Sequence, residues 1–458
     1  MMDEEGTTLM ERSLDPEILS ESIIALDPAM IEQVMAGSRS IANPNQQWQT
    51  YLHTLAFFGV EQWLHQRAGD ISLNQEPAAM LQLPYVSVIP AVCHLVANGF
   101  KLCLIAIAGQ PDAEVAIPRA AIELPEFMPH FYVVVTIYEE QAQVMIHSLL
   151  RYDQLATRVV TIPPDADWTY PIPLNWFDQH VDRLLLYLRC ANPDAIALPK
   201  SISEHLSALT TMQTELLQLL PQLQTSDRPW WQLLTWEQAK VILTTPPLLN
   251  WIFTPQPSSP LPAIDSPPPY LSDLLQLLTR PMINVSHWLQ DQLDDLAQQL
   301  SWVLLPPLSS QMRLKQGRST LSSEDFEAIV TQLQRQGVTL LPNARAAFSN
   351  LVIGTIPARL CVITGTLQEA GQPPEWSLLV VLSPAPGNHL PYGTRLRISD
   401  TTGILVQRSL TPHQDDEQLF AEIFGTFDER FLVTITVPDG ASLSLPPFSF
   451  SRDESCHD

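Results

Sequence analysis

Residues 130–155 read HFYVVVTIYEEQAQVMIHSLLRYDQL, and their pattern decides the fold of the first large domain. The runs 130–138 and 143–151 are rich in β-branched and apolar residues, and a short polar turn around Glu140 separates them. Two such runs joined by a short turn predict an antiparallel β-hairpin. We therefore expect this hairpin to lie in the sheet of an α+β domain.

The segment that precedes the hairpin completes the predicted domain. Runs 91–98 and 100–108 are separated by Gly99 and predict a second antiparallel hairpin. Apolar residues recur at helical spacing over 44–67, after an asparagine suited to cap a helix and a proline suited to its first turn. One long helix and two hairpins predict an α+β domain over residues 43–200.

Residues 201–342 are predicted to form a helical region, because leucine-rich segments dominate it. The stretch 254–269, TPQPSSPLPAIDSPPP, is predicted to be a loop because proline and serine fill it. An apolar stripe at helical spacing predicts one amphipathic helix over 285–303. A last helix is predicted to start near Ser322 and to stop at Gly337.

The remainder of the chain is predicted to be β-structure between flexible ends. Residues 343–450 hold seven or eight short apolar runs punctuated by Pro, Gly, Asp and Asn, which predicts an antiparallel β-sandwich. Residues 1–42 are predicted to be an acidic flexible arm and 451–458 a flexible tail. The predicted fold class is therefore α+β multidomain, with a helix and antiparallel hairpins, a helical middle region and a C-terminal sandwich.

The charge balance argues against several classes of partner. Lys and Arg number 24 against 49 Asp and Glu, for a formal net charge of −25. This charge disfavours nucleic acid, and no apolar run approaches the length of a spanning helix, so we expect protein partners and no membrane insertion. Residues 1–50 carry nine acids and two bases, the reverse of a targeting peptide, which favours a cytoplasmic location.

The reactive side chains match no common catalytic or metal-binding pattern. The sequence lacks G-x-S-x-G, G-x-x-x-x-G-K-[ST], G-x-G-x-x-G and H-E-x-x-H, so we predict no cofactor and no metal. His53 and His65 are twelve residues apart on the predicted helix, about 120° out of phase, and cannot share a metal. The five cysteines are an odd number without framework spacing and are expected to be reduced.

Three arginines and two tryptophans are the candidate partner-binding residues. Arg395 and Arg397 alternate with apolar residues on a predicted strand, and Arg408 is expected on the neighbouring strand. The alternatives are a solvated, exposed sheet face or a site for an acidic segment of a partner protein. Trp230 and Trp231 lie beside proline-rich segments, where tryptophan serves either as core or as an anchor for a partner.

Five stretches of the sequence carry a family resemblance: the hairpin at 130–155, QQWQTYLHTLAFFGVEQWL, FKLCLIAI, WEQAKVILTTPPLLNW and ERFLVTITVPDGASLSLPPF. Together they resemble an uncharacterised cyanobacterial family known only as a domain of unknown function. The resemblance covers nearly all of residues 43–450 and implies no catalytic or binding residue.

Three hypotheses about function follow from these observations. The first is a non-enzymatic cytoplasmic interaction or regulatory protein. The second is an enzyme, a hydrolase with dispersed catalytic residues, for which a cleft that gathers His or Cys with carboxylates would be the sign. The third is a carbohydrate-binding module on the C-terminal sandwich, for which a row of exposed coplanar aromatic rings would be the sign.

Overall fold

The computed structural model describes residues 23–39, 41, 44–71, 73, 88–200, 205–226, 228–254, 269–305, 330, 331, 333, 334, 337–368, 371, 373–412 and 418–451. The chain divides into two compact units. The N-terminal unit comprises Met1–Ala208 and Gln218–Pro257, and the C-terminal unit comprises Leu209–Leu217 and Ser258–Asp458.

The N-terminal unit is built on a five-stranded sheet. Its strands are β1 (Ile23–Ala25), β2 (Val92–Ala97), β3 (Phe100–Ala108), β5 (Phe131–Tyr138) and β6 (Gln143–Arg151), in the spatial order β1-β6-β5-β3-β2. Both predicted hairpins, β2–β3 and β5–β6, are antiparallel, whereas β3 and β5 pair in parallel. The β2–β3 turn has positive φ at Asn98 and Gly99, as a tight hairpin turn requires.

Helices cover one face of this sheet. They are α1 (Pro28–Ser38), α2 (Pro44–Arg67) and α5 (Asp182–Cys190), and their apolar residues share one core with β3 and β5. The predicted helix over 44–67 is confirmed in full. It crosses so close to the sheet that a Cβ on Gly59 would lie 2.5 Å from a methyl group of Val144, so only glycine fits at this crossing.

Further elements of this part of the chain lie outside the five-stranded sheet. A two-stranded antiparallel sheet of β4 (Glu114–Pro118) and β7 (Thr169–Pro173) lies in this unit. The remaining helices of this part of the chain are α3 (Arg119–Glu123), α4 (Tyr152–Arg158), α6 (His205–Thr225), α7 (Trp230–Leu233), α8 (Trp236–Leu243) and α9 (Pro246–Phe253).

Part of the segment predicted as a flexible arm is folded. Residues 1–22 lie outside the described residues, but β1 pairs with β6 and α1 contributes Val34 to the main core. Asp27 caps α1, because its carboxylate accepts a hydrogen bond from the Ala29 backbone at 3.0 Å. The acidic composition did not reveal this short strand and helix, whose apolar side chains pack into the core of the N-terminal unit.

The C-terminal unit contains a β-sandwich, as predicted. One sheet has the order β15-β12-β11-β10-β9, with β9 (Val303–Leu304), β10 (Arg345–Ile353), β11 (Ile356–Leu367), β12 (Glu375–Pro384) and β15 (Leu419–Thr426). The other has the order β14-β13-β16-β18-β8, with β17 beside β16, and comprises β8 (Ile283–Asn284), β13 (Arg395–Ser399), β14 (Ile404–Ser409), β16 (Arg430–Thr436), β17 (Ser442–Ser444) and β18 (Phe448–Ser449).

The sandwich draws on residues that precede 343. Both sheets share one core, which includes Trp376, Phe431 and Phe448 together with Trp288 and Trp302. Strand β9 belongs to the first sheet and pairs antiparallel with β10. Strand β8 belongs to the second sheet and pairs in parallel with β18. Helix α10 (Pro269–Thr279) packs on β13 and β16. The sandwich therefore starts earlier in the chain than the predicted boundary.

The single helix predicted over 285–303 is wrong. A 3-10 helix, Val285–Gln290, ends at Asp291, whose φ of 61° is left-handed, and α11 (Asp295–Gln299) is separate. Asp294 starts α11 by accepting from the Ala297 backbone at 2.8 Å. Part of the apolar stripe is still buried, because Leu289, Leu293 and Leu296 pack on the sandwich core. Two aspartates that cap and turn the chain thus override the helical period.

Some predicted features fall on residues that the structure does not describe. The proline-serine loop at 254–269 is described only at its ends, and the helix predicted from Ser322 is described only at residues 330, 331, 333 and 334, which are helical, and at Gly337, whose φ is 85°. The predicted tail lies beyond the described residues except Ser451. Within the described part of the chain, no helix is long and apolar enough to span a membrane.

Candidate functional site

The arginine strand does not form the exposed patch that its sequence predicts. Arg397 is only 15% exposed at its side chain, and its Nε and one Nη donate to the two carboxylate oxygens of Asp273 at 2.7 and 2.8 Å. Ser399 and Thr434 also donate to Asp273, which is 1% exposed. The prediction that Arg397 is exposed is wrong, because helix α10 lies on this face of the sheet and supplies a buried carboxylate.

The other two arginines lie on opposite faces of their sheet. Arg395 shares a face with Arg397 and is exposed. Arg408 lies on the neighbouring strand, as predicted, but it pairs with Leu396, whose side chain points into the core. Cross-strand partners share a face, so Arg408 lies on the same face of the sheet as Leu396. Arg395 lies on the opposite face. The structure thus does not bring the three arginines together.

The tryptophan pair lies in the N-terminal unit on the short helix α7. Trp230 is 8% exposed, and its ring stacks on that of Phe253 with 6.2 Å between centroids and 19° between planes. Trp231 is 38% exposed. One tryptophan is therefore fixed against α9, and its neighbour is presented to the surface.

Both tryptophans line a groove of about 580 Å³. This volume falls within the range of ligand-binding clefts. We call it the tryptophan groove, and all its described lining residues belong to the N-terminal unit: Asn45, Gln46, Gln49, Val88, Pro90, Ala116, Asp167, Thr169, Leu223, Gln224, Ser226, Arg228, Pro229, Trp230, Trp231, Ile252 and Phe253.

Four of the described lining residues of the tryptophan groove carry amide side chains. Asn45, Gln46 and Gln49 come from the first turns of α2, where positions three and four apart share a face. Gln224, from the end of α6, donates through its Nε2 to the carbonyl oxygen of Trp251 at 2.7 Å. An amide offers both donors and acceptors, so these residues suit a ligand that also carries both.

Among the described lining residues of the groove, one is an acid, Asp167, and one is a base, Arg228. Oδ1 of Asp167 accepts from the backbone N–H and the hydroxyl of Thr169, at 3.2 and 2.7 Å. The next residue, Trp168, has a left-handed φ of 62°, and its carbonyl accepts from the Arg119 backbone at 2.8 Å. Arg228 is exposed. The position of Asp167 in the groove is therefore fixed by a constrained turn, a feature that is common at binding sites.

A buried histidine lies one helical turn beyond Gln49. The side chain of His53 is buried, and neither ring nitrogen has a hydrogen bond of ordinary geometry among the described residues. Burial lowers the pKa of His53 to about 4, and the backbone of Pro90, a groove residue, only partly opposes this shift. The imidazole is thus neutral in the folded protein at neutral pH.

We expect His53 to make the folded protein sensitive to acid. Between the ordinary histidine pKa of about 6.5 and the folded value of about 4, His53 takes up a proton only in the unfolded chain. The free energy of unfolding therefore falls as the pH falls through this window, by about 3 kcal/mol in all. Urea unfolding at several pH values should show a smaller loss for His53→Leu than for wild type. His65→Leu, exposed on the same helix, is the control and should keep the wild-type slope. Equal slopes for wild type and His53→Leu would contradict this assignment.

A second cavity, of about 590 Å³, lies beside Glu123 in the same unit. The Oε1 atom of Glu123 accepts hydrogen bonds from Arg119 at 2.7 Å and from Tyr170 at 2.6 Å. Its Oε2 atom accepts a hydrogen bond from the indole N–H of Trp236 at 2.9 Å. Burial and this carboxylate raise the pKa of Tyr170 to about 12, so the hydroxyl stays a donor. Both carboxylate oxygens hold structural partners, and the cluster fastens α8 to α3.

The remaining reactive residues are dispersed. Within the described ranges, no three His, Cys, Asp or Glu side chains are grouped to hold a metal ion. Cys93, Cys103 and Cys361 are buried free thiols, and Cys190 is an exposed one. Cys456 lies outside the described residues.

The fold is that of an α+β protein with two compact units. Comparison with known protein families then identifies a family to which the sequence is similar. The model of a family described as a protein of unknown function, DUF1822, matches residues 24–441. The chain therefore belongs to the DUF1822 family. No curated protein matches the sequence.

Proposed function

We propose that this protein is a non-enzymatic interaction or regulatory protein, and that its tryptophan groove binds an extended segment of a partner polypeptide. The observation that carries the proposal is the pairing of an exposed Trp231 with the fixed Trp230 at one groove. Tryptophan is enriched among the residues that dominate binding energy at protein interfaces, and a ring already held in place loses little entropy on binding.

The amide residues of the groove support a polypeptide as the ligand. An extended backbone presents alternating N–H and C=O groups, and the side chains of Asn45, Gln46, Gln49 and Gln224 are of the type that pairs with both. Apolar side chains of the ligand would then contact Trp231. This division between polar orienting groups and apolar anchors is typical of peptide-binding grooves.

Charge favours a neutral or basic segment. The chain has a formal net charge of −25, and the groove itself carries Asp167 as well as Arg228. A basic or neutral ligand is attracted or tolerated by this field, whereas a polyanion is repelled. The proposal includes a cytoplasmic location, which the free thiols of the described residues favour.

The alternatives receive less support from the geometry. A cleft that gathers His or Cys with carboxylates would be the sign of a hydrolase, and among the described lining residues of the groove there is neither a cysteine nor a histidine. In the C-terminal unit, the exposed rings of Phe424 and Tyr392 share no strand, because Phe424 lies on β15 and Tyr392 lies in the segment before β13.

The test begins with a library of random linear 12-residue peptides displayed on phage. The library is first depleted on the full-length Trp231→Ala variant and then selected on the wild-type chain. We expect recovered peptides to share an apolar residue, to lack acidic runs, and to bind wild type as free synthetic peptides. Recovery only of peptides that bind both proteins equally would contradict the proposal.

A further inference from the structure

Two buried thiols contact each other in the N-terminal unit. The Sγ atoms of Cys93 on β2 and Cys103 on β3 are 3.4 Å apart, so that one thiol donates a hydrogen bond to the other. Cys93 is 7% exposed and Cys103 is fully buried. A disulfide requires the sulfurs to approach by about 1.4 Å, to the S–S bond length of about 2.05 Å.

The strand geometry permits that approach. Val92 pairs with Leu104 and Leu95 with Leu102, so two residues of β2 lie opposite Cys103 in a β-bulge. Antiparallel neighbours have Cα separations of about 4.5–5.5 Å, within the range that a disulfide spans. A bulge in the last strand of the sheet order can adjust its backbone more easily than a central strand can.

We propose that Cys93 and Cys103 form a redox-active pair that closes to a disulfide in the presence of a small-molecule disulfide such as glutathione disulfide. The Cys93 thiolate attacks the glutathione disulfide, forms a mixed disulfide and displaces one glutathione thiolate. The Cys103 thiolate then attacks the Cys93 sulfur and displaces the second glutathione thiolate. The two protons lost by the cysteines are taken up by the two glutathiones, so two protein thiols are oxidised and one glutathione disulfide is reduced.

Cys93 is the first thiol to react because it is the more accessible of the two and lies on the terminal strand. The hydrogen bond with Cys93 and burial raise the pKa of Cys103 well above its ordinary value, which makes it a poor first nucleophile. Once Cys93 carries glutathione, the neighbouring sulfur is already in place for the second step. Oxidation should therefore be slower than at an exposed thiol but should end in the intramolecular disulfide.

The pair is connected to the tryptophan groove by a short segment of chain. Val88 and Pro90 line the groove, and Cys93 follows Pro90 by three residues at the bulge. Closing the disulfide moves the bulge and with it this wall. The inference that the disulfide controls peptide binding rests on the proposed function. The inference that the disulfide forms is independent of that function.

The experiment uses the full chain with Cys190→Ala and Cys456→Ala, so that neither of these two thiols reacts. The protein is incubated with excess glutathione disulfide, quenched in acid, unfolded, labelled with N-ethylmaleimide and digested with trypsin. Because Lys101 lies between the two cysteines, the disulfide joins the separate peptides 68–101 and 102–119. We expect this cross-linked product, two hydrogens lighter than the reduced pair, and its loss on treatment with dithiothreitol.

Cys361 is the internal control. It is buried in the C-terminal unit, and burial raises the pKa of its thiol to about 12, so it should stay reduced and take the label. Persistence of both labelled peptides, or glutathione retained on Cys93 without the cross-link, would overturn the redox pair.

Peptide binding separates this inference from the proposed function. The oxidised and reduced samples are titrated with a peptide selected on the wild-type groove, and we expect dissociation constants that differ at least threefold. A cross-link with equal dissociation constants would overturn the control of the groove and leave the redox pair standing. Failure of both samples to bind would overturn the proposed function and that control, but not the disulfide.

Discussion

Replacing Asp273 with alanine is expected to destabilise the C-terminal unit by about 3–5 kcal/mol, which is a large fraction of the stability of a typical domain. Asp273 is buried on α10 and accepts hydrogen bonds from Arg397, Ser399 and Thr434 of the sandwich. Its removal leaves the guanidinium of Arg397, 15% exposed, without its counter-charge. Urea unfolding followed by circular dichroism measures the loss.

Arg395 provides the matched control for this prediction. It lies two residues from Arg397 on the same face of β13 but is exposed, so Arg395→Ala should change stability by less than about 1 kcal/mol. Arg397→Ala should cost nearly as much as Asp273→Ala, and the double variant Asp273→Leu/Arg397→Met should recover part of the loss. Equal, small effects of Arg395→Ala and Arg397→Ala would contradict the buried pair.

The second large effect concerns where the sandwich begins. A fragment of residues 343–452 is expected to show no cooperative thermal transition, whereas a fragment of residues 269–452 should melt cooperatively. The shorter fragment lacks β8, β9 and α10, and it loses Trp288 and Trp302 from the core. Each of these rings lies against Phe448, with centroids 6.4 and 5.9 Å away. Truncation of one buried tryptophan already costs about 3–5 kcal/mol.

Circular dichroism and calorimetry of the two fragments, prepared in parallel, decide the boundary. The longer fragment should give a single transition with equal calorimetric and van't Hoff enthalpies. A cooperative melt of the 343–452 fragment at the same temperature as the 269–452 fragment would mean that the sandwich starts near 343. The domain bounds inferred from the sequence would then stand.

Local patterns predicted the elements whose side chains alternate or repeat without interruption. The hairpin formed by β5 and β6 and the helix α2 are of this kind, because each buries a regular set of apolar residues. The same reasoning failed over 285–303, where the stripe is regular but Asp291 turns the chain and Asp294 caps a new helix. The period of a pattern does not reveal where a polar side chain interrupts the backbone.

The candidate sites show a different limit of sequence reasoning. Arg397 looked exposed because its strand alternates, and nothing local indicates a carboxylate 124 residues away. The tryptophan pair could be recognised in the sequence as a candidate site, but the polar residues that line the groove with it could not. The signal available for Asn45, Gln46 and Gln49 was the polar start of an otherwise buried helix. Gln224, Asp167 and Arg228 join the groove only through the tertiary fold.

The most direct test of the proposed function is the dissociation constant of a selected 12-residue peptide, measured by isothermal titration calorimetry on full-length proteins. Trp231→Ala should weaken binding 10- to 30-fold, about 1.4–2 kcal/mol, while leaving the melting temperature unchanged, because this side chain is 38% exposed. Tyr392→Ala removes an exposed ring in the C-terminal unit and should bind as wild type does. Equal dissociation constants for wild type and Trp231→Ala would contradict a polypeptide-binding groove at the tryptophan pair.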